Sequence, residues 1–347
     1  MKAGIEAIEY HLPQTILDNE QLAAEMPGWD AQKIENKTGI CQRHIAAEGE
    51  CASDLAVAAA RKLFGSGICD PSQIDSLLLC TQSPDYFLPT TACLVHQRLG
   101  LRRSAGALDF NLGCSGFVYG LSLAKGLIET GQANKVLLIT ADTYSKFIHP
   151  QDRSVRTLFG DAAAATLISG VESSGDLLGP FVFGTDGTGA ENLIVPAGGS
   201  RRQFVANAEV TEDENGNRRT VNHLFMNGAE IFEFTLRVVP QTVEELLAKA
   251  GRTAESIDFW VFHQANHYML KHLRDKLGLP HEKFIISMAN CGNTVSSTIP
   301  IALKELQAAG RLLDGQTLML VGFGVGYSWA GSLVRWRGET ATSQPAT

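Results

Sequence analysis

Three polar residues stand where strands give way to helices and side chains become available for chemistry. Cys114 lies in "NLGCSGF" (111–117), between an apolar run and a helix-period run. His263 follows the apolar run "DFWVF", and Asn293 lies in "NCGNTVSST" (290–298). A cysteine at a helix start meets converging backbone N–H groups and the positive end of the helix dipole. That seat favours the thiolate, so it predicts a lowered thiol pKa and a stronger nucleophile. Gly113 and Gly116 permit a tight turn and leave room for a substrate. A free cysteine is also commonly a small core residue, and a lone histidine at a strand end is often a satisfied core or capping group.

What joins the three is an internal repeat. "IDSLLLCTQSPDY" (74–86) parallels "IDFWVFHQANHYM" (257–269), and "RLGL" (98–101) parallels "KLGL" (276–279). The strand-like runs "GALDFNL" and "EKFIISM" then lead into the Cys114 and Asn293 turns. Helix-period runs follow at one constant offset, and "KVLLITAD" and "TLMLVGFG" close the copies. Strand, helix, strand, helix, strand, written twice, predicts a duplicated α/β protein with a pseudo-twofold axis. The expected halves are 1–175, carrying the cysteine, and 176–347, carrying the histidine and asparagine. The helices after Cys114 and Asn293 are apolar over much of their surface, as helices buried between sheets must be. The repeat sets Asn293 opposite Cys114, so a thiolate and two hydrogen-bond donors converge. Such a set suits thioester chemistry, in which sulfur takes an acyl group and donors stabilise an enolate oxygen as carbon dioxide leaves.

The 347 residues are 44% hydrophobic and carry a formal charge of −8. That balance argues against nucleic acid or an anionic membrane as partner. Seven cysteines form no Cys-x-x-Cys pair, and acidic residues occupy the N-terminus where a signal peptide needs an apolar run, so reduced thiols in the cytoplasm are expected. No apolar stretch reaches the roughly 18 residues of a membrane span. No His/Cys cluster has metal-ligand spacing.

These motifs carry a family resemblance. "KTGICQRHIA" (37–46), "DFNLGCSGFVYGL" (109–121), "DRSVRTLFGDAAAATLI" (152–168), "MNGAEIFEF" (226–234), "FHQANHYML" (262–270), "GNTVSSTIP" (292–300) and "GFGVGYSW" (322–329) resemble the β-ketoacyl-acyl carrier protein synthase III group of thiolase-fold condensing enzymes. The resemblance implies a five-layered α-β-α-β-α fold, a homodimer, and Cys114, His263 and Asn293 as the catalytic set. It implies acyl loading of Cys114 and decarboxylative condensation with a malonyl group on acyl carrier protein. Thioesters of coenzyme A or the carrier serve as substrates, with no metal or redox cofactor. The oxyanion would lie against the Cys114 N–H and the Gly324-Val325-Gly326 turn, with Phe159, Phe323 and Asn266 around the substrate.

Departures from the family pattern are informative too. Lys33 and Lys37 stand near a tryptophan and an arginine that hold the nucleotide in relatives, while Arg153 matches a second nucleotide-contacting arginine. Lysine lacks the planar fork of arginine, which leaves an acyl carrier protein donor open. Leu88 aligns with an aromatic that gates the acyl pocket across the dimer, and a smaller side chain there would admit longer chains. Lys271, Arg274 and Lys276 form a basic stretch suited to an acidic carrier, although Tyr268 replaces a docking arginine. The polar segment 198–223 is an excursion that either covers the pocket mouth or lies on the surface. Two other functions fit the chain: acyl transfer from Cys114 to an alcohol or amine, and a non-catalytic subunit of a heteromeric synthase.

Overall fold

The computed structural model describes residues 1–26 and 28–337. Two sheets carry the chain. The first has the order Lys2–His11, Ala162–Val171, Lys135–Asp142, Ser76–Cys80, Gly106–Phe110. Its last three strands run parallel to one another, and its first two pair antiparallel. The second has the order Phe259–Phe262, Thr317–Gly324, Ser328–Arg335, Leu178–Thr185, parallel in its first pair and antiparallel afterwards.

Between the sheets lie the helices Gly116–Glu129 and Thr298–Ala308. Phe117, Val118, Leu121 and Ala124 of one, and Ile299, Ala302 and Leu303 of the other, share a single buried cluster with Leu78, Leu138, Val261 and Leu320 from both sheets. Helices apolar over so much of their surface bury most of it in the middle layer. Ala52–Gly65 and Thr91–Leu99 cover the outer face of the first sheet, and Gly228–Ala250 and His267–Lys276 that of the second. The result is five layers, α-β-α-β-α.

One expected strand is absent. Residues 282–288 touch Trp260 through Trp260 N–H to Lys283 O and Ile285 N–H to Trp260 O, a single parallel bridge rather than a ladder. The second sheet therefore keeps the parallel strand pair but lacks the counterpart of Gly106–Phe110.

Buried hydroxyls stitch the two sides of the middle layer together. Ser297 donates to the Thr140 carbonyl at 3.1 Å and pairs with the Thr140 hydroxyl at 2.8 Å, and Ser115 pairs with Ser328 at 2.8 Å. All four side chains are buried, so losing one partner strands the other in an apolar layer. Ser297→Ala is expected to cost about 1–3 kcal/mol of unfolding free energy, read by denaturant titration.

Candidate active site

Cys114 sits two residues before the Gly116–Glu129 helix. The late strand Thr317–Gly324 approaches it so closely that a Cβ on Gly324 would lie 2.8 Å from the Cys114 sulfur, and one on Gly322 would lie 2.6 Å from its carbonyl oxygen. Only glycine tolerates that approach. Hydrogen bonding from the Val325 and Cys114 N–H groups favours the sulfur anion.

The expected low thiol pKa is not what results. Burial pushes the Cys114 thiol up to about 12, with the buried Asp142 carboxylate adding to the rise. A helix terminus contributes up to roughly 2 kcal/mol, about 1.5 pKa units. Burial of a thiolate in an apolar pocket exceeds that, so the resting sulfur is a neutral thiol.

Asn293 is fixed on three sides. Its N–H donates to Leu158 O at 2.9 Å, its carbonyl accepts from Gly160 at 3.0 Å, and together these bridge it to Phe159. Its side-chain oxygen accepts the Val295 N–H at 3.0 Å. The amide oxygen is thus occupied, and the NH2 group is the end left for the cavity. Val295 achieves this with φ of +55°, a left-handed backbone that a β-branched residue adopts only under constraint and that tends to cluster at functional sites.

His263 follows the buried strand Phe259–Phe262, and its N–H bonds to Val321 O at 2.8 Å. Its Nδ1 lies 2.7 Å from Thr298 Oγ1. Burial pushes the imidazole pKa down to about 3, against a smaller upward pull from the Val295 carbonyl. It is neutral at physiological pH.

A cavity with about 510 Å³ of empty volume, open at its mouth, brings the three together. Cys114, His263 and Asn293 line it with Leu158, Phe159, Leu193, Met226, Ile231, Met269, Phe323, Gly324 and Asn266. Polar groups are few and convergent in an otherwise apolar wall, the form of a small-molecule site. Asn266 spends its side-chain oxygen capping the His267–Lys276 helix through Met269 N–H.

Other expected site residues lie elsewhere. Lys33 and Lys37 stack their ammonium groups over Trp29, at 5.1 and 4.8 Å from its centroid, away from the cavity lining. Leu88 is 86% exposed, beside the exposed Tyr86 and Phe87. Arg153 is half-buried at the start of a short helix and lies outside the cavity wall. Lys271 and Lys276 are exposed, but Arg274 is buried and bonded to Asp275 and His281, so it is removed from any docking face. The excursion folds into a hairpin, Thr211–Glu212 with Arg218–Arg219, anchored by Arg219 to the buried Asp152 at 2.6 Å.

The sequence reading passed over Asp142, Val295 and Thr298. Asp142 ends the strand "KVLLITAD", and an acid closing an apolar run was the available signal. Its carboxylate accepts from Gln82 N–H and the Ser296 hydroxyl, while burial still raises its pKa to about 7. Among the described residues, no group of three or more His, Cys, Asp or Glu side chains could hold a metal ion. No described helix is long and apolar enough to cross a membrane.

The profile for 3-oxoacyl-acyl-carrier-protein synthase III matches residues 108–187, and that for the C-terminal part of the same synthase matches residues 247–336. The beta-ketoacyl-acyl-carrier-protein synthase III of Caldanaerobacter subterraneus is 37% identical over 96% of this chain and 98% of its own. The chain belongs to the 3-oxoacyl-acyl-carrier-protein synthase III family. A crystal structure of a 3-oxoacyl-acyl-carrier-protein synthase III superposes with a TM-score of 0.96 at 56% identity, covering 97% of this chain and 100% of that one. The 3-oxoacyl-acyl-carrier-protein synthase of Burkholderia xenovorans does so at 0.88 and 39%, covering 97% and 95%. The family's enzymes are acyl-transferring condensing enzymes of thiolase fold, and this chain is one of them.

Asp142 supplies a pH test of the site's packing. Its folded pKa of about 7 exceeds the ordinary 3.8. Its contribution to stability is therefore whole below about pH 4 and is lost as pH rises through 7. Asp142→Asn removes that dependence. Between pH 4 and 8 the wild type is expected to lose on the order of 4 kcal/mol relative to the variant, seen in paired denaturant titrations.

Proposed function

We propose that Cys114 takes an acyl group from a thioester and that His263 and Asn293 then drive decarboxylation of a malonyl thioester. The observation that carries this reading is the single cavity in which a thiol, an imidazole and an amide NH2 converge. Because the thiol starts neutral, its proton must leave as the carbon–sulfur bond forms. His263 Nε2 takes it. Charge on the acyl oxygen is met by the Cys114 and Val325 N–H groups, which already face the sulfur. The donor thiolate departs and takes a proton from solvent at the cavity mouth.

The malonyl thioester then enters. Asn293 Nδ2 and the proton now on Nε2 donate to its carbonyl oxygen, carbon dioxide leaves, and the freed carbon attacks the acyl-cysteine. As the sulfur departs it recovers its proton from Nε2, so one solvent proton is consumed overall. The scheme needs no metal or redox cofactor, because sulfur supplies the nucleophile and the malonyl carboxylate supplies the electron pair.

Acyl carrier protein is the proposed carrier of the malonyl group, docked against exposed Lys271 and Lys276; coenzyme A and the carrier are both admitted as acyl donors. A homodimer is proposed through the edge strand Gly106–Phe110 and exposed Phe87 and Leu88. The two sheets, built from residues 2–171 and 178–335, support a division into halves near residue 175. Seven free cysteines fit a reducing cytoplasm.

The two half-reactions separate the roles. Asn293→Ala is expected to form acyl-enzyme at close to the wild-type rate, by intact mass, while carbon dioxide release falls roughly 10²–10³-fold. His263→Ala is expected to slow both. Equal loss in both half-reactions for Asn293→Ala would remove its assigned role.

A further inference from the structure

The Thr298 hydroxyl is caught between two partners. It donates to the Val295 carbonyl at 3.1 Å, and His263 Nδ1 lies 2.7 Å away on its other side. A hydroxyl has one proton to give. With that proton committed to Val295, the oxygen is left to accept, so Nδ1 must carry the ring's hydrogen. Hydrogen bonding to the Val295 backbone also raises the affinity of the imidazole for protons. Thr298, Val295 and His263 are all buried.

The other nitrogen follows by elimination. A neutral imidazole with Nδ1–H has a bare lone pair at Nε2, and the ring lines the cavity that holds Cys114. This matters because the thiol is neutral and needs an acceptor. The opposite tautomer carries its one N–H at Nε2 and could not take a proton there.

We propose that Thr298 is a positioning residue that selects the Nδ1–H tautomer of His263 and so makes Nε2 the acceptor of the Cys114 proton. The inference rests on the condensing reading above. In proton terms, the S–H bond breaks as the carbon–sulfur bond forms, Nε2 gains that proton, and Nδ1–H stays on Thr298 while the ring is charged. When the sulfur leaves in the second half-reaction the proton returns to it, and the ring regains its starting tautomer. Thr298 exchanges no proton at any step.

The test uses the full chain labelled with ¹⁵N at its nine histidines, with the His263 signals assigned by their loss in His263→Ala. At neutral pH the wild type should show a protonated Nδ1 and a bare Nε2. Thr298→Val keeps the shape and removes the hydroxyl. It should lower the Nδ1–H population and slow Cys114 acylation by acetyl-, butyryl- or octanoyl-coenzyme A by about tenfold or more, a part of the roughly 10²–10⁴-fold that general-base assistance supplies. Thr298→Ser should restore both. A wild-type ring protonated at Nε2 overturns the proposal. So does Thr298→Val with unchanged tautomer and rate, or Thr298→Ser as impaired as Thr298→Val. If Thr298→Val does not fold, the wild-type spectrum decides alone. Failure of every acyl donor to label wild-type Cys114 would count against the condensing reading, while the tautomer remains readable.

Discussion

A buried turn must satisfy every polar group it carries, and the turn from Asn293 to Thr298 is the point where this requirement shapes the whole site. Asn293 Oδ1 takes the Val295 N–H, Ser296 bonds to Asp142, Ser297 to Thr140, and Thr298 to His263. Of the turn's side chains, only the Thr294 hydroxyl finds no partner among the described residues. Two further hydrogen-bonding positions escape this closure, the Asn293 NH2 and the far nitrogen of His263. Both belong to residues that line the cavity beside Cys114. The reactive groups are what remains after the fold's own hydrogen bonds are complete, and the left-handed backbone of Val295 is the local cost, on the order of 1–3 kcal/mol.

The same burial decides the resting charge state. Cys114 is held near 12 and His263 near 3, so the pair rests as thiol and neutral imidazole, unlike the thiolate and imidazolium of many cysteine nucleophiles. A cavity without a standing ion pair suits apolar acyl chains, which would otherwise have to displace bound water from charged groups. It also means that charge is made only when substrate is present, at positions where N–H groups already wait for it. Cysteines without such donors stay inert: burial likewise holds the thiol of Cys291 near 12, packed among Ala162, Ala164 and Ile301.

Much of this was legible in the residues. The repeat placed two apolar helices between two sheets, and it set Asn293 against Cys114 because equal offsets in a duplicated chain become equal positions about an axis. What failed were properties that depend on depth or on distant partners. "NLGCSGF" announces a helix start but not how deeply it is buried, and depth reversed the direction of the thiol pKa. Arg274 shares a basic stretch with Lys271 and Lys276, yet its side chain turns back to Asp275 and His281. "EKFIISM" has a strand's composition but only one bridging partner. A valine with positive φ leaves no trace in sequence, since β-branched residues ordinarily avoid that conformation. The salt bridge from Arg219 to Asp152 spans a loop whose polar composition gave no register.

Everything at this site turns on a sulfur that becomes reactive only while an acyl oxygen is held beside it. The direct measurement is a crystal structure of the acyl-enzyme, trapped by incubating the protein with an acyl thioester in the absence of a malonyl donor. The acyl carbonyl oxygen is expected at about 2.7–3.1 Å from both the Cys114 and Val325 N–H nitrogens, leaving Asn293 Nδ2 and His263 Nε2 free for the second substrate. An acyl oxygen bonded instead to Asn293 and His263, or an acyl group on any other residue, would contradict the division of labour described for this site.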